Sequence, residues 1–359
     1  METVRVLVVD DSPSIRALIK ALLADEVGVE VVAEACNGQQ AVELNATLLP
    51  DIITMDLEMP VMTGIQAIGE IMRTRAVPIL VVSSVSDAEI AYQAVRHGAL
   101  EVTGKPTLHD GEELAEKLRL LAGVPVIRHI GIGQQLPSSV DKLLLPQEDL
   151  PAPTWLPVAE HHESEVPQPV YVIASSTGGP NALALLIAAL PQGFPYTVLI
   201  AQHISDGFAA GMVEWLGQLS AVPVRLGKHG EPILPGVVYI APSEFHMTVT
   251  ADGRIAMLTP AEGDIYHPSC DALLRSAAAV YGSRVVGVIL TGMGRDGVQG
   301  LAAVCQAGGK TLAQDEASSV IFGMNKLAIE AGVAQEVVSL DNMLPAMLKH
   351  AQQSSAEAL

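Results

Sequence analysis

QPVYVIASSTGGPNALALLIAALPQGFPYTVLIAQHIS, residues 168–205, contains no Asp, Glu, Lys or Arg, and its reading decides the fold. As one apolar block it would be a membrane span, which needs about 20 apolar residues in a row. Gly178, Gly179, Pro180, Pro191, Gly193 and Pro195 cut it into pieces too short for that. What remains is strand, glycine turn, helix, turn, strand. Val170–Ala174 and Val198–Ala201 are the strands, and Ala182–Ala189 is the helix between them. Unbroken Val, Ile and Leu runs of this kind suit parallel strands buried under helices on both faces.

The same alternation extends in both directions. Downstream, Val237–Ile240 and Val285–Leu290 read as strands and Asp271–Ala279 and Leu301–Ala307 as helices. Phe245–Thr250 and Arg254–Leu258, parted by Asp252-Gly253, read as a β-hairpin. Upstream, Val4–Val9, Val29–Ala33, Ile52–Met55 and Ile79–Val82 are strands, with a weaker fifth near Leu100–Thr103. Ile15–Ala24 and Ile65–Met72 are helical between them. The fold class is therefore α/β twice over. A doubly wound, flavodoxin-like domain comes first, and a doubly wound, mostly parallel α/β domain with a hairpin follows.

Proline marks the join. Eight of the 23 prolines fall between Val124 and Pro169, together with the acidic run Glu160-His161-His162-Glu163-Ser164-Glu165. This is linker composition, and His161-His162 reads as part of a solvated linker rather than as a metal tract. The domains are set at 1–122, 123–168 and 169–359, which suits a chain of 359 residues.

Hydrophobic residues make up 49% and charged residues 17%, which excludes global disorder. The formal net charge of −20 repels phosphate backbones, so no nucleic-acid partner is expected. Residues 1–122 hold 9 Lys and Arg against 19 Asp and Glu, half of that excess. Cys36, Cys270 and Cys305 include no CxxC pair, which argues against a disulfide framework or structural zinc and fits a reducing compartment. Met1-Glu2-Thr3-Val4-Arg5 lacks signal-peptide form. A soluble, cytoplasmic, monomeric protein without membrane insertion is expected.

In the N-terminal domain, acidic residues end two strands: Asp10-Asp11 after the first and Asp56 after the third. Ser83 follows the fourth, and Lys105-Pro106 follows the fifth. A parallel sheet gathers all of these on one rim. Three carboxylates there repel one another unless a hard cation such as Mg²⁺ sits among them. A lysine and a hydroxyl beside them suit phosphoryl oxygens. One such residue would be an ordinary turn or cap; five at the right strand ends describe an aspartate that accepts a phosphoryl group.

In the C-terminal domain, Ala174–Pro180, Ala201-Gln202-His203 and Leu290–Gly297 each follow a strand. Ser176, His203 and Asp296 then emerge at strand ends. A serine hydroxyl needs an imidazole to take its proton, and a carboxylate to fix that imidazole's tautomer. From the residues alone other readings stay open. The glycines after Ser176 could cradle a phosphate, although no Walker lysine follows them. His203 and Asp296 could also be turn residues. No GxSxG elbow surrounds the serine, and the order Ser–His–Asp matches none of the familiar triad orders. Cys270, close to His267, reads as a buried structural thiol.

Two resemblances sharpen this. Residues 1–122 resemble a response-regulator receiver domain through Val8-Val9-Asp10-Asp11-Ser12, Met55–Pro60 with Gly64, Val82-Ser83-Ser84 and Gly104-Lys105-Pro106. The resemblance implies Asp56 as phosphoacceptor, Asp10, Asp11 and Asp56 as Mg²⁺ ligands, and Ser83 and Lys105 as readers of the phosphoryl group. It also implies a Lys105–Pro106 bond that is often cis. Val102 stands where that family usually carries a switching aromatic.

Residues 169 to about 348 resemble the catalytic domain of chemotaxis protein-glutamate methylesterases of the CheB type. The carrying motifs are Ala174–Pro180, Gln202-His203, Pro235–Pro242, His267–Asp271, Thr291–Gly297 and Gln314–Val320. The resemblance implies Ser176 as nucleophile, His203 as base and Asp296 as its partner, with Thr177 and Met293 as candidates for oxyanion support and no cofactor for the esterase. Ile204-Ser205 and Asn325 depart from the family's usual Met-Pro and Pro. The implied activity is hydrolysis of glutamate methyl esters, and deamidation of particular glutamines, on methyl-accepting chemotaxis receptors. A chemotaxis histidine kinase would be the phosphodonor, with the receiver inhibiting until phosphorylated and the protein recruited to receptor clusters. The competing function is a phosphorylation-dependent, non-catalytic scaffold that binds chemoreceptors.

Overall fold

The computed structural model describes residues 3–84, 88–126, 168–261 and 263–357. Most of the proline-rich stretch, including His161-His162, lies outside the described residues. The chain divides into two compact units, Met1–Gln135 and Leu136–Leu359.

The first unit runs β1 (Val4–Val9), α1 (Pro13–Ala24), β2 (Val29–Ala35), α2 (Gly38–Leu48), β3 (Ile52–Met55), α3 (Gly64–Thr74), β4 (Ile79–Ser83), α4 (Ala88–Arg96), β5 (Glu101–Gly104) and α5 (Gly111–Ala122). Its five strands are parallel in the order β2-β1-β3-β4-β5. Local chemistry sets the helix starts. Pro13 opens α1, and the Asn37 side chain accepts from the Gln40 N–H at α2. Thr63 and Gln66 form a capping box at α3. Val6, Val8, Ile52, Leu80 and Val82 pack with Leu114 and Leu118 of α5 into one core.

The second unit runs β6 (Val170–Ser175), α6 (Gly179–Ala188), β7 (Thr197–Gln202), α7 (Ala209–Leu219), β8 (Val224–Leu226), β9 (Val238–Ile240), β10 (His246–Val249) and β11 (Ile255–Leu258). It continues with α8 (Cys270–Tyr281), β12 (Val285–Ile289), α9 (Val298–Gln306), β13 (Lys310–Gln314), α10 (Met324–Glu330), β14 (Glu336–Val338) and α11 (Leu340–Glu357). Seven strands form one parallel sheet in the order β14-β13-β12-β6-β7-β9-β8, and β10 pairs with β11 as an antiparallel hairpin. Every residue of β6, β7 and β12 is buried, as central strands require. The hairpin joins the main core through Met247, Val249 and Ile255, which pack with Leu273 and Leu274 of α8.

The apolar runs predicted as strands and the hairpin are all strands here. Three strands were not predicted: β8, β13 and β14. Two of them have three residues each and no buried residue, so they carry no apolar run; β13 is framed by Lys310 and Gln314. Lys105–Pro106 is trans, contrary to the family's frequent cis bond; the cis peptide among the described residues is His267–Pro268. No described helix is long and apolar enough to cross a membrane.

Candidate functional site

Both sheets reverse winding direction beside their first strand, and loops leaving the strand ends on either side of such a point part to form a crevice. In the first unit this is between β1 and β3. Asp10 and Asp11 leave β1, and Asp56 leaves β3. One carboxylate oxygen from each of the three lies within 4.8 Å of the others, an oxygen set that fits a hard dication. Lys105, from the end of β5, donates to Asp10 Oδ2 at 2.9 Å and to Asp56 Oδ2 at 3.1 Å. Asp56 Oδ1 accepts from the Leu57 N–H, and Asp10 Oδ1 from the Ser12 N–H. Arg16 donates to the carbonyls of Asp10 and Asp11, which fixes the acidic turn. Ser83 is fully buried at the end of β4, where its carbonyl accepts from the Lys105 N–H.

Burial and the charge of Asp10 push the Asp56 carboxyl up to about 6, despite the Lys105 hydrogen bond. Burial works against the charge of Lys105, but its bonds to Asp10 and Asp56 hold it above its ordinary value. The rim therefore carries more negative charge than one lysine balances. Val102 is buried in β5 and offers no ring to swing.

In the second unit the crevice opens between β6 and β12. Ser176 follows β6, His203 follows β7 and Asp296 lies in the loop after β12. His203 Nε2 lies 2.8 Å from Asp296 Oδ2. Asp296 is buried, yet it also accepts from the N–H groups of Cys270 at 2.6 Å and Asp271 at 2.9 Å, and from Ser269 Oγ at 3.2 Å. Burial alone would raise its pKa; the His203 bond and these helix N-terminal donors hold it below the ordinary carboxylate value. An ionised Asp296 accepts, so Nε2 carries the proton in this bond, and in a neutral imidazole Nδ1 is then the acceptor.

Ser176 is tied in by its main chain. Its N–H donates to the Thr291 carbonyl, and its carbonyl accepts from the Gly179 N–H and from Gln202 Nε2 at 2.9 Å. The same Gln202 nitrogen donates to the His203 carbonyl at 2.7 Å, so one amide spans both strand ends. A β-carbon on Gly292 would fall 2.6 Å from Ser176 Cβ, which shows how closely the Thr291–Gly297 loop approaches the serine. Thr177 is buried with its carbonyl bonded to Thr291 Oγ, and Met293 is half-buried in that loop. No Ser176 Oγ–His203 hydrogen bond occurs among the described residues; such bonds are commonly long without substrate and tighten when it binds.

Cys270 is fully buried with Sγ 3.4 Å from both the Ala201 carbonyl and His203 Nε2. Burial and the Asp296 charge push its thiol well above the ordinary value, so it is a poor thiolate. Sequence reasoning gave no role to Ser269, Asp271 or Tyr266. For Ser269 the signal was present: a Ser ahead of an apolar helix, here capping α8 at Ala272 N. Asp271 Oδ1 accepts from the N–H groups of Gly297 and Gly300 and so caps α9, while Asp296 caps α8.

Comparisons with known proteins give the family of each unit. Residues 6–119 match the response regulator receiver domain, and residues 171–347 match CheB methylesterase. A protein-glutamate methylesterase/protein-glutamine glutaminase from Paramagnetospirillum magneticum is 47% identical over 96% of this chain and 96% of its own length. One from Myxococcus xanthus is 41% identical over 95% of this chain and 92% of its own. The crystal structure of the Thermotoga maritima CheB methylesterase catalytic domain superposes with a TM-score of 0.50 at 36% identity, covering 51% of this chain and 99% of that one. The protein is thus a hydrolytic enzyme in which an α/β catalytic domain is joined to a receiver domain. It belongs to the protein-glutamate methylesterase/protein-glutamine glutaminase family, of the CheB type, and is an enzyme of that class.

Two stability predictions follow from the site's charges. A carboxyl whose pKa rises on folding contributes stability that is full below about 3.8 and lost as pH climbs through about 6. In Mg²⁺-free buffer, Asp56→Asn is expected to raise the receiver's urea stability by about 1–2 kcal/mol at pH 7.5, after solvent screening at the rim. That gain should fade as pH drops toward 4, and a gain independent of pH would contradict it. Asp271→Ala strands the Gly297 and Gly300 N–H groups and is expected to cost the catalytic unit about 2–3 kcal/mol in urea unfolding. Asp271→Asn, which keeps an acceptor oxygen, should cost less than half as much.

Proposed function

We propose that this enzyme hydrolyses γ-glutamyl methyl esters on methyl-accepting chemotaxis receptors, deamidates particular receptor glutamines, and is switched on by phosphorylation of Asp56. The observation that supports it most is the buried, ionised Asp296 bonded to His203 Nε2, which frees Nδ1 to act as a base on a histidine whose backbone N–H donates to the Ser175 carbonyl, next to Ser176. We assign residues 1–122 to the receiver, 123–168 to the linker and 169–359 to the catalytic domain. The protein acts in the cytoplasm, recruited to receptor clusters.

In the first step His203 Nδ1 takes the Ser176 Oγ proton as Oγ attacks the ester carbonyl. Negative charge collects on the carbonyl oxygen, where the backbone N–H groups of the Thr177 turn and the Met293 loop are the candidate donors; losing one such donor typically costs about 3–4 kcal/mol. The acyl–methoxy bond then breaks, and methanol leaves with the proton from His203. In the second half, His203 takes a proton from water as the oxygen attacks the acyl-serine carbonyl. The acyl–Oγ bond then breaks as His203 returns that proton to Ser176 Oγ, leaving a glutamate side chain on the receptor. Asp296 orients the imidazole and stabilises its cation throughout. With a glutamine side chain the same steps release ammonia.

At the receiver, Asp10, Asp11 and Asp56 would hold Mg²⁺, which supplies positive charge against phosphoryl oxygens when bound. The phosphoryl group passes from a phosphohistidine of the chemotaxis kinase to an Asp56 oxygen. Lys105 and Ser83 then bond its oxygens. Phosphorylation brings about two negative charges to a rim already rich in them, and the receiver's rearrangement releases the catalytic domain from inhibition.

Ser176→Ala is expected to abolish methanol release from methylated receptor membranes, a drop of about 10⁶-fold in subtilisin-like precedent. Substantial residual turnover would remove Ser176 from its role, and failure of a fluorophosphonate to label the wild-type serine would favour a non-catalytic scaffold. Asp56→Asn should keep basal methanol release while losing stimulation by a small-molecule phosphodonor with Mg²⁺. Undiminished stimulation would move the acceptor elsewhere.

A further inference from the structure

One hydrogen bond fixes a point on a ring but not its plane. The His203 imidazole is tethered at Cγ by its own side chain and at Nε2 by Asp296. It can still swing about the line between those points, and that swing moves Nδ1, the atom that has to meet the serine proton. Something must hold the ring face.

The ring of Tyr266 lies against that face, stacked with centroids 5.0 Å apart and planes 15° apart. Its other neighbour is the loop that carries Asp296. Gly294 has φ +92°, and a β-carbon there would come within 2.7 Å of the Tyr266 hydroxyl oxygen and 2.9 Å of its Cε1. The tyrosine therefore fills the space between the imidazole and the Thr291–Gly297 loop, where any larger residue at position 294 would displace it.

The segment bearing Tyr266 is bracketed on both sides. On the N-terminal side, Asp264 Oδ2 accepts from His246 Nε2 at 3.0 Å and from the Ala261 N–H at 2.7 Å. On the C-terminal side, the Ser269 N–H donates to Nδ1 of the same His246 at 2.9 Å. The His267 carbonyl also accepts from the Ile204 N–H, next to His203 in sequence. His246 is buried on the β10 strand of the hairpin, so a single side chain staples residues 264 and 269 and holds the ring between them.

We propose that Tyr266 is a positioning residue: its ring face holds the His203 plane with Nδ1 turned toward Ser176, and the His246 staple keeps that ring in place. This rests on the reading of His203 as the base. The contact also lies where the imidazole becomes a cation, and an aromatic face attracts a cation.

The test uses the full chain with Tyr266→Phe and Tyr266→Leu, reading methanol release from methylated receptor membranes and the His203 ring-proton NMR shifts. The Phe variant keeps the face and should retain kcat within about twofold, with the wild-type upfield ring-current shift. The Leu variant should lose roughly 10- to 100-fold in kcat, the scale of a misplaced catalytic group, with KM within about twofold and the ring-current shift gone. Wild-type kcat in the Leu variant overturns the proposal. So does a Phe variant as slow as Leu, which would assign the effect to the hydroxyl, or a change confined to KM. The wild-type shift needs no variant to fold: His203 ring protons at unstacked positions overturn the contact itself. A wild-type Ser176 that takes no fluorophosphonate would instead overturn the esterase reading, an outcome distinct from all of these.

Discussion

The carboxylate of Asp296 carries its charge inside the protein, and much of the catalytic unit is arranged to keep it there. An isolated buried carboxylate is among the most costly groups a fold can hold. Here it accepts from His203, from the N–H groups of Cys270 and Asp271, and from Ser269 Oγ. Two of these donors are N–H groups in the first turn of α8, which have no partner within the helix, and the helix dipole there also favours an anion. Asp271 completes the exchange by accepting from the Gly297 and Gly300 N–H groups at the start of α9. Two helices thus begin at two aspartates, each capping the other's helix. The start of α8, the loop after β12 and the orientation of His203 all depend on that exchange.

The two units place their chemistry at the same topological position with opposite electrostatics. Between β1 and β3, carboxylates outnumber Lys105, the one lysine that reaches them among the described residues, and Asp56 is pushed up to about 6. Between β6 and β12, donors crowd one carboxylate, and Asp296 is held below its ordinary value. Environments that drive equivalent groups in opposite directions separate their roles. A rim short of positive charge favours a cation and the phosphoryl group that comes with it. A satisfied carboxylate keeps its proton off and holds an imidazole in one tautomer.

Much of this was legible in the sequence because buried parallel strands announce themselves as apolar runs. The residues just after each run then sit on the rim, which is how Asp10, Asp56 and His203 could be placed from sequence, while the choice of Ser176 over Ser175 came from the family resemblance. The edge strands Val224–Leu226 and Glu336–Val338 were hidden because half-exposed, three-residue strands carry no such run. Nothing in the residues around Tyr266 distinguishes it from a loop tyrosine: its partners His203 and Gly294 are remote in sequence, and only folding brings them together. The motif His267–Asp271 was visible as a resemblance, but two of its contacts to Asp296 are the backbone N–H groups of Cys270 and Asp271, which side-chain identity does not reveal.

Each group of the Ser176–His203–Asp296 set is held by a different force. Ser176 and the His203 backbone are tied by the Gln202 amide across adjacent strand ends. Asp296 is fixed by helix N-termini, and the imidazole plane by an aromatic face. A change at Gln202, Asp271 or Tyr266 therefore reaches one member of the set first. In the proposed mechanism catalysis needs all three members aligned at once, so once any one is displaced, displacing a second has little left to remove. Losses from such changes should combine less than additively, as expected of groups that act as a unit. That separation of supports also lets the fold carry a buried charge, a close-packed serine loop and a half-exposed ring within one crevice, because no single contact has to satisfy all three.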